Sequence, residues 1–402
     1  MDLQTALTTP GCSEVWVKAG AYTPGTTNAD SFDIPPGVEV YGGFAGTESS
    51  RGERDASINL SILTGDIDNN DANAGSTHID KTSADIVGSN SFHVVSMDGT
   101  TGTTITADTV LDGLIITGGD ASGSGSTQSN GGGLYCNGGA AGSECSPTLS
   151  NLTFSGNRAS GLGGAIYNNG SSDGNSSPSL SSVTFSGNSA VAGGAMSNDG
   201  SSGNSSPSIS NVTFNGNNAD NAGAIFNDGH LGISSPTLSN VTFSGNNADN
   251  FGGAMANYGQ GGTCSPILSN VILWGNIATT GDSEISNASS TPTIDHSVVQ
   301  GSGGSSSWNA TLGTDGGGNL DVDPRLGALG DHGGSTATML LGTGSSAVDA
   351  GYPAVCVSPP VNGVDQRGVF RFEGNSVLCD IGAVEMSAIT DRIFADGFEV
   401  MP

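Results

Sequence analysis

The stretch "SSVTFSGNSAVAGGAMSNDG", Ser181–Gly200, returns almost letter for letter as "SNVTFNGNNADNAGAIFNDG" from Ser210 and as "SNVTFSGNNADNFGGAMANYG" from Ser239. A globular core gives no reason for such repetition, whereas a stack of equivalent coils does. Aligned on the aromatic residue, Phe154, Phe185, Phe214 and Phe243 form one file with Leu273 in fifth place, at steps of 31, 29, 29 and 30 residues. A Ser-Pro precedes each of them, and a Gly-Asn follows, giving Asn157, Asn188, Asn217, Asn246 and Asn276. A strand of small residues comes next: "GGAIYN", "GGAMSN", "AGAIFN", "GGAMAN".

Within a repeat the pattern alternates. In "SVTFSGN", Val183 and Phe185 face one way and Ser182, Thr184 and Ser186 the other, which is the period of a strand. No segment carries ten residues of helical periodicity. Propeller blades need about 40–45 residues, so a repeat near 30 without helices reads as one turn of a solenoid. Coils stacked about 4.7–4.9 Å apart put Phe over Phe inside and Asn over Asn at the turn, where amides bond from coil to coil. Glycine pairs such as Gly163-Gly164 and Gly193-Gly194 supply the positive φ at which the chain swings between faces. The expected fold is all-β, a single-stranded right-handed parallel β-helix (a β-solenoid) of about ten to fourteen coils with capped ends.

The segment from Thr109, "TVLDGLIITGGDASGSGSTQSNGGGLYCNGG", is a diverged coil with Ile116 in the Phe place. Four stretches follow from this reading: 1–110 as N-terminal cap and first coils, 111–300 as the regular repeats, 301–386 as C-terminal coils and cap, and 387–402 as a tail.

Composition agrees with an elongated polar solenoid. Glycine is 66 of 402 residues and only 12% are charged, yet short apolar runs such as "VEVYGGF" and "SNVILWGN" recur throughout, which separates the chain from a disordered one. A net charge of −29 with nine Lys and Arg excludes nucleic acid and anionic lipid as partners. No apolar run reaches the ~18–20 residues of a transmembrane segment. The opening "MDLQTALTTPGCSEVWV" has neither a basic n-region nor an apolar h-region, so a leader is expected to have been lost upstream. Cys136 and Cys145 are nine apart, and Cys356 and Cys379 flank one C-terminal loop, as local disulfides would; six cysteines allow 15 pairings. An oxidising compartment is expected.

The F-x-G-N … G-G-A-[IM] coils resemble the repeats of polymorphic outer-membrane proteins and related bacterial β-helix adhesins. The C-terminal "DPRLGALGDHGGSTATMLLGTGSSAVDAG" and "DQRGVFRFEGNSVLCDIGAVE" resemble the domain called choice-of-anchor Q, which follows such coils in secreted bacterial proteins. The N-terminal "SEVWVKAGAYTP" and "VYGGFAGTESSRGERD" resemble the usual opening of the same proteins. The resemblance implies a protein exported from a bacterium to its surface or surroundings, with Met1 an internal start, and no transferable catalytic residues. The function it implies is non-catalytic and adhesin-like or matrix-forming. The partner it implies is a host or environmental surface, with carbohydrate among the candidates, and no oligomeric state is implied.

Two other chemistries are weighed on the residues. Polysaccharide lyases and glycoside hydrolases of the pectate-lyase type share such folds. Lyases need a basic proton acceptor, and between 147 and 300 the only Arg or Lys is Arg158. Hydrolases need paired carboxylates, for which Asp199 with Asp228 and Asp220 with Asp249 are the candidates on adjacent coils. Their "SNDG" and "NNADN" settings are also ordinary turn sequences. The same pairs could take calcium, although they lack the alternating spacing of a calcium loop; no other cofactor is expected. His78, His93, His230, His296 and His332 show no metal-ligand spacing.

An outward row of Thr153, Thr184, Thr213 and Thr242 beside Ser155, Ser186, Asn215 and Ser244 is the pattern of an ice-binding lattice, interrupted at Ile272 and Trp274. Good strand formers on an outer face explain it equally. Trp274 and Tyr258 interrupt the pattern at places expected to be exposed, where Tyr258 could stack on a sugar ring and Trp274 marks the passage from repeat to cap.

Overall fold

The computed structural model describes residues 2–72, 77–281, 284–372 and 377–386; the tail 387–402 lies outside them. Alternation along each coil produces three strands that pair with their counterparts one coil away. The result is a parallel β-helix with sheets of sixteen, eight and six strands. The longest path runs through ten strands in chain order. Register is exact in kind: Phe154 pairs with Phe185, Phe185 with Phe214, Phe214 with Phe243 and Phe243 with Leu273.

The interior is a set of columns. The four phenylalanine rings stack at centroid distances of 5.1, 4.8 and 4.6 Å, with planes within 8° of parallel. Each is completely buried, contributing about 1.5–3 kcal/mol by burial and ~0.5–1.5 kcal/mol per stacked pair. Leu180, Ile209, Leu238 and Leu268 form a second file, and Val183, Val212 and Val241 a third. Between them, Ser182, Asn211, Asn240 and Asn270 sit at φ of 53–55° and bend the strand; Asn adopts this conformation at lower cost than other side-chain-bearing residues.

Both ends are closed by apolar side chains. At the start, the helix Leu3–Leu7 is capped by Asp2, whose carboxylate accepts from Thr5 N at 2.9 Å, and it buries Leu3 and Leu7 against the end of the core. At the other end Leu312, on the short turn Ala310–Leu312, and Trp308 join the same core.

The outer side of the largest sheet is covered from two directions. Residues 66–72 and 77–90 follow the strand Ser61–Thr64 and reach the Gly-Asn turns, with Asp80 N donating to Thr117 Oγ1 at 2.9 Å and Ser83 N to Gly187 O at 3.0 Å. Gly187 has φ of 62°, and a Cβ there would collide with Lys81 O, so only glycine lets this insert lie flat. From the far end, residues 334–372 and 377–386 double back along the rod as a strap. Gln366 lies at its centre. Its Nε2 donates to Thr184 Oγ1 (2.8 Å) and to Val183 O (3.2 Å), and its Oε1 accepts from Thr213 Oγ1 (2.7 Å). Ala383 N donates to Thr242 Oγ1 at 3.0 Å, and Thr184 Oγ1 to Ala337 O at 2.6 Å.

This strap corrects the expectation of an outward threonine lattice. Thr184, Thr213 and Thr242 are buried beneath it and bonded to it, and Thr153 is half-buried. A surface so covered offers water no threonine array, which removes the physical basis of the ice-binding reading. The position of Trp274 is corrected too. It packs half-buried beside Ile272, Val298, Leu341, Ala347 and Ile381, the apolar seam that fastens the strap.

Two disulfides are present, Cys136–Cys145 within the core and Cys356–Cys379 within the strap. The second lies where Asn270 grips the strap: Tyr352 N donates to Asn270 Oδ1 at 2.7 Å, and Asn270 Nδ2 to Tyr352 O at 3.3 Å. Cys12 and Cys264 are free.

Candidate functional site

The Gly-Asn asparagines form a buried ladder along the rod. Nδ2 donates from Asn157 to Asn188 Oδ1 (3.0 Å), Asn188 to Asn217 (2.9 Å), Asn217 to Asn246 (2.9 Å) and Asn246 to Asn276 (2.8 Å). The other amide hydrogen of Asn188, Asn217, Asn246 and Asn276 goes to the carbonyl of Phe154, Phe185, Phe214 and Phe243. A second ladder, Asn168–Asn198–Asn227–Asn257–Asn287, runs down the eight-stranded sheet at 2.7–2.9 Å. Sequence reasoning missed it, although the terminal Asn of each "GGAMSN"-type strand is its signal. These ladders hold the rod together, and up to the half-buried Asn287 at the end of the second they are buried away from any ligand.

The face left open lies where the six-stranded and eight-stranded sheets meet. There a groove of about 320 Å³ is lined by Phe226, Asp228, Tyr258 and Ser286 from one sheet and by Asn221 and Phe251 from beside the other. Alternation places the side chains. In Ile225–Asp228 the inward Ile225 and Asn227 are fully buried, leaving Phe226 and Asp228 to the outside. One coil on, Ala256 stands over Phe226 and Tyr258 over Asp228; the small alanine opens the space between the rings. Phe251 is 40% exposed, an unusual exposure for a large apolar ring. His230 stacks on Tyr258 with centroids 5.8 Å apart, and Tyr258 is bonded through its hydroxyl to Gln260. Tyr258, expected to be exposed, is half-buried and forms one wall of the groove.

Upstream the same outward columns carry Tyr135, Tyr167 and Ser197, and Asn137, Asn169 and Asp199. Tyr135 and Tyr167 lie 5.7 Å apart and are buried, and His93 stacks on Tyr135 at 5.0 Å. Along these columns the rings left accessible are therefore Phe226 and Tyr258, with Phe251 beside them.

The candidate carboxylate pairs behave differently from one another. Asp199 accepts from Tyr167 Oη (2.7 Å), Ser201 N (3.0 Å) and Ser201 Oγ (2.6 Å), which is turn chemistry with a tyrosine clamp. Asp228, one coil further, accepts from His230 N at 2.9 Å. Burial raises the Asp228 carboxyl above the usual range, and the charge of Asp199 adds to this. Asp220 and Asp249 stay exposed on the six-stranded sheet, outside the groove. The histidines are dispersed: His296 stacks on Tyr352 at 4.6 Å beneath the strap, and His78 and His332 lie far along the chain from the groove.

The strap holds a buried charged knot that sequence reasoning did not single out. Arg371 is completely buried, donating to Asn211 Oδ1 (2.9 Å), Gly382 O (3.0 Å) and Val364 O (3.1 Å), with Glu385 at 3.6 Å. Arg367 pairs with Asp365 at 2.9 Å. The signal was available in "DQRGVFR", a run of charge in a chain otherwise poor in it.

Among known proteins, residues 151–169 match the Chlamydia polymorphic membrane protein repeat. That span covers the strand Thr153–Ser155 with Phe154, the Asn157 rung and the strand Ile166–Asn169, which is part of one coil of the rod. No curated protein and no solved structure matches the chain.

Proposed function

We propose that the chain is a non-catalytic rod of a bacterial surface or its surroundings that binds carbohydrate in the groove between its two smaller sheets. The groove is the observation that carries this reading: Phe226, Phe251 and Tyr258 offer ring faces, flanked by Asn221, Ser286 and Asp228. Aromatic faces pack on the apolar faces of sugar rings, and amide, hydroxyl and carboxylate groups take the sugar hydroxyls. The polymorphic membrane protein repeat supports a surface-associated setting. The two disulfides support an oxidising compartment. The choice-of-anchor Q resemblance of the strap supports export, with the strap serving to stiffen the rod behind the binding face.

Testing this needs the full chain on an array of neutral and acidic glycans, followed by titration of the hits. Phe226→Ala and Tyr258→Ala should each weaken binding at least about tenfold, the loss of one stacked ring, with melting unchanged. Binding indifferent to both substitutions would reject the groove, and silence across the array would reject the reading.

One observation favours polysaccharide hydrolysis as a second reading. Asp228 is a carboxyl with a raised pKa in the groove, one coil from Asp199. New reducing ends released from a polysaccharide, and lost in Asp228→Asn, would move the assignment to an enzyme.

A further inference from the structure

We propose that the pocket at Gly118 is a calcium site formed by Asp71, Asp80, Asn90 and Thr64. It lies at the turn between the strands Leu114–Thr117 and Asp120–Ala121, shares no residue with the groove and is independent of it. All four residues are at least 95% buried. Their oxygens surround the open side of Gly118: from the point where a Cβ would sit, Asp80 Oδ2 is 2.8 Å away, and Asp71 Oδ2 and Thr64 Oγ1 are each 3.3 Å away. Any side chain there would fill the hollow.

Two further oxygens in this pocket are buried without a hydrogen-bond partner, Asp80 Oδ1 and Asn90 Oδ1. The orientation of Asn90 is fixed, because its Nδ2 donates to Asp71 Oδ2 and to Gly118 O, both at 2.7 Å. A buried carboxylate oxygen and a buried amide oxygen left bare are costly in a folded protein, and a cation bound between these side chains would satisfy both.

Local charge points the same way. Among the described residues neither Asp71 nor Asp80 forms an ion pair, and the nearby guanidinium of Arg158 is held by Asp120 at 2.7 Å. Asp66, also buried, is occupied with the backbone amides of Asn70 (3.0 Å) and Asp71 (3.2 Å). Among the described residues no three His, Cys, Asp or Glu side chains converge as metal ligands. The proposed set is instead two carboxylates with an amide and a hydroxyl oxygen. Hard oxygen donors of mixed charge suit calcium, which tolerates irregular geometry, better than magnesium, which demands an octahedron. Calcium here would pin the insert to the coils it crosses.

The test uses the full chain, freed of metal with a chelator and titrated calorimetrically with calcium chloride, with magnesium chloride in parallel. Melting is followed in both salts. The expected result is one calcium bound per chain, a rise in melting temperature that equal magnesium does not produce, and affinity reduced at least about tenfold in Asp80→Asn. Thr64→Val, which removes a single neutral oxygen and with it the acceptor of Asp66 N, should weaken calcium less than Asp80→Asn does while the far-ultraviolet spectrum of the chelated form keeps its β signature. No heat at millimolar calcium would overturn the site and leave Asp71 and Asp80 sharing a proton. Calcium binding undiminished in both variants would overturn it as well, placing the ion elsewhere on the acidic surface.

Discussion

Asn276 donates from Nδ2 to Glu284 Oε2 at 2.7 Å, and with this bond the asparagine ladder ends on a carboxyl group buried in the core. Each earlier rung hands its amide to the next asparagine. The last has no asparagine beyond it and uses Glu284 instead.

That ending makes stability depend on pH. Burial pushes the Glu284 carboxyl up to about 8. Between its unfolded value near ~4.3 and about 8, the folded chain holds a proton that the unfolded chain has released. This contribution to stability is complete below the unfolded pKa and is lost as pH rises through the folded one. Glu284→Gln keeps an acceptor for Asn276 and carries no titrating proton. Thermal melting from pH 4.5 to 8.5 should therefore show a steeper decline for the wild type than for the variant. Parallel curves would mean that Glu284 is not buried as described.

The ladder itself should be costly to interrupt. Asn217 is completely buried, and its side chain bonds Asn188, Asn246 and Phe185 O. Asn217→Ala leaves those partners bare and should lower unfolding free energy by about 2–4 kcal/mol. Phe214→Ala, at the middle of the ring stack, should lower it by ~3–5 kcal/mol. Urea denaturation of the two variants measures both losses, and a near-neutral Asn217→Ala would show the amides to be solvated.

Removing Arg371 should release the strap and spare the rod. Its guanidinium is buried against Asn211 and Glu385, and breaking such a pair costs about 3–5 kcal/mol. In Arg371→Ala, limited proteolysis should cut within 334–386 while the far-ultraviolet spectrum keeps its β signature. Cleavage spread equally over the repeats would show that the strap and rod unfold together.

Reduction should act on the strap in the same way. Cys356–Cys379 closes a loop with a sequence separation of 23, worth about 3 kcal/mol by chain entropy. Cys356→Ser with Cys379→Ser should speed proteolysis of the strap. The Cys136–Cys145 pair, buried inside the rod, should resist mild reductant for longer.

Much of the rod was legible in the letters because a solenoid repeats its chemistry wherever it repeats its geometry. The Phe185 file and the Asn188 ladder recur at a fixed step, and that step alone identifies strands that stack in parallel. What was not legible is what happens once. The strap meets the rod through Gln366, Arg371 and Ala383, more than a hundred residues beyond Thr184, Asn211 and Thr242, and no periodicity links such partners. Alternation correctly placed Thr184 on the side opposite Phe185, but which outer face meets water depends on the strap. The groove was hidden for a related reason. Phe226, Phe251 and Tyr258 each look like a local departure from the repeat, and only the meeting of two sheets brings them together. The pocket at Gly118 likewise joins residues 64, 71, 80 and 90 through an insert that breaks the repeat.

The stacking of coils is tested most directly by distances along one outward column. Glu14, Glu39, Val110, Thr148, Ser179, Ser208, Thr237 and Ile267 pair in succession, one per coil. Spin labels placed pairwise at Glu14, Thr148 and Ile267 probe three, four and seven coil steps. At about 4.8 Å per step, pulsed electron resonance should give backbone separations of ~14, ~19 and ~34 Å, the longest equal to the sum of the other two. Distances that fail to add along this line would contradict the parallel rod.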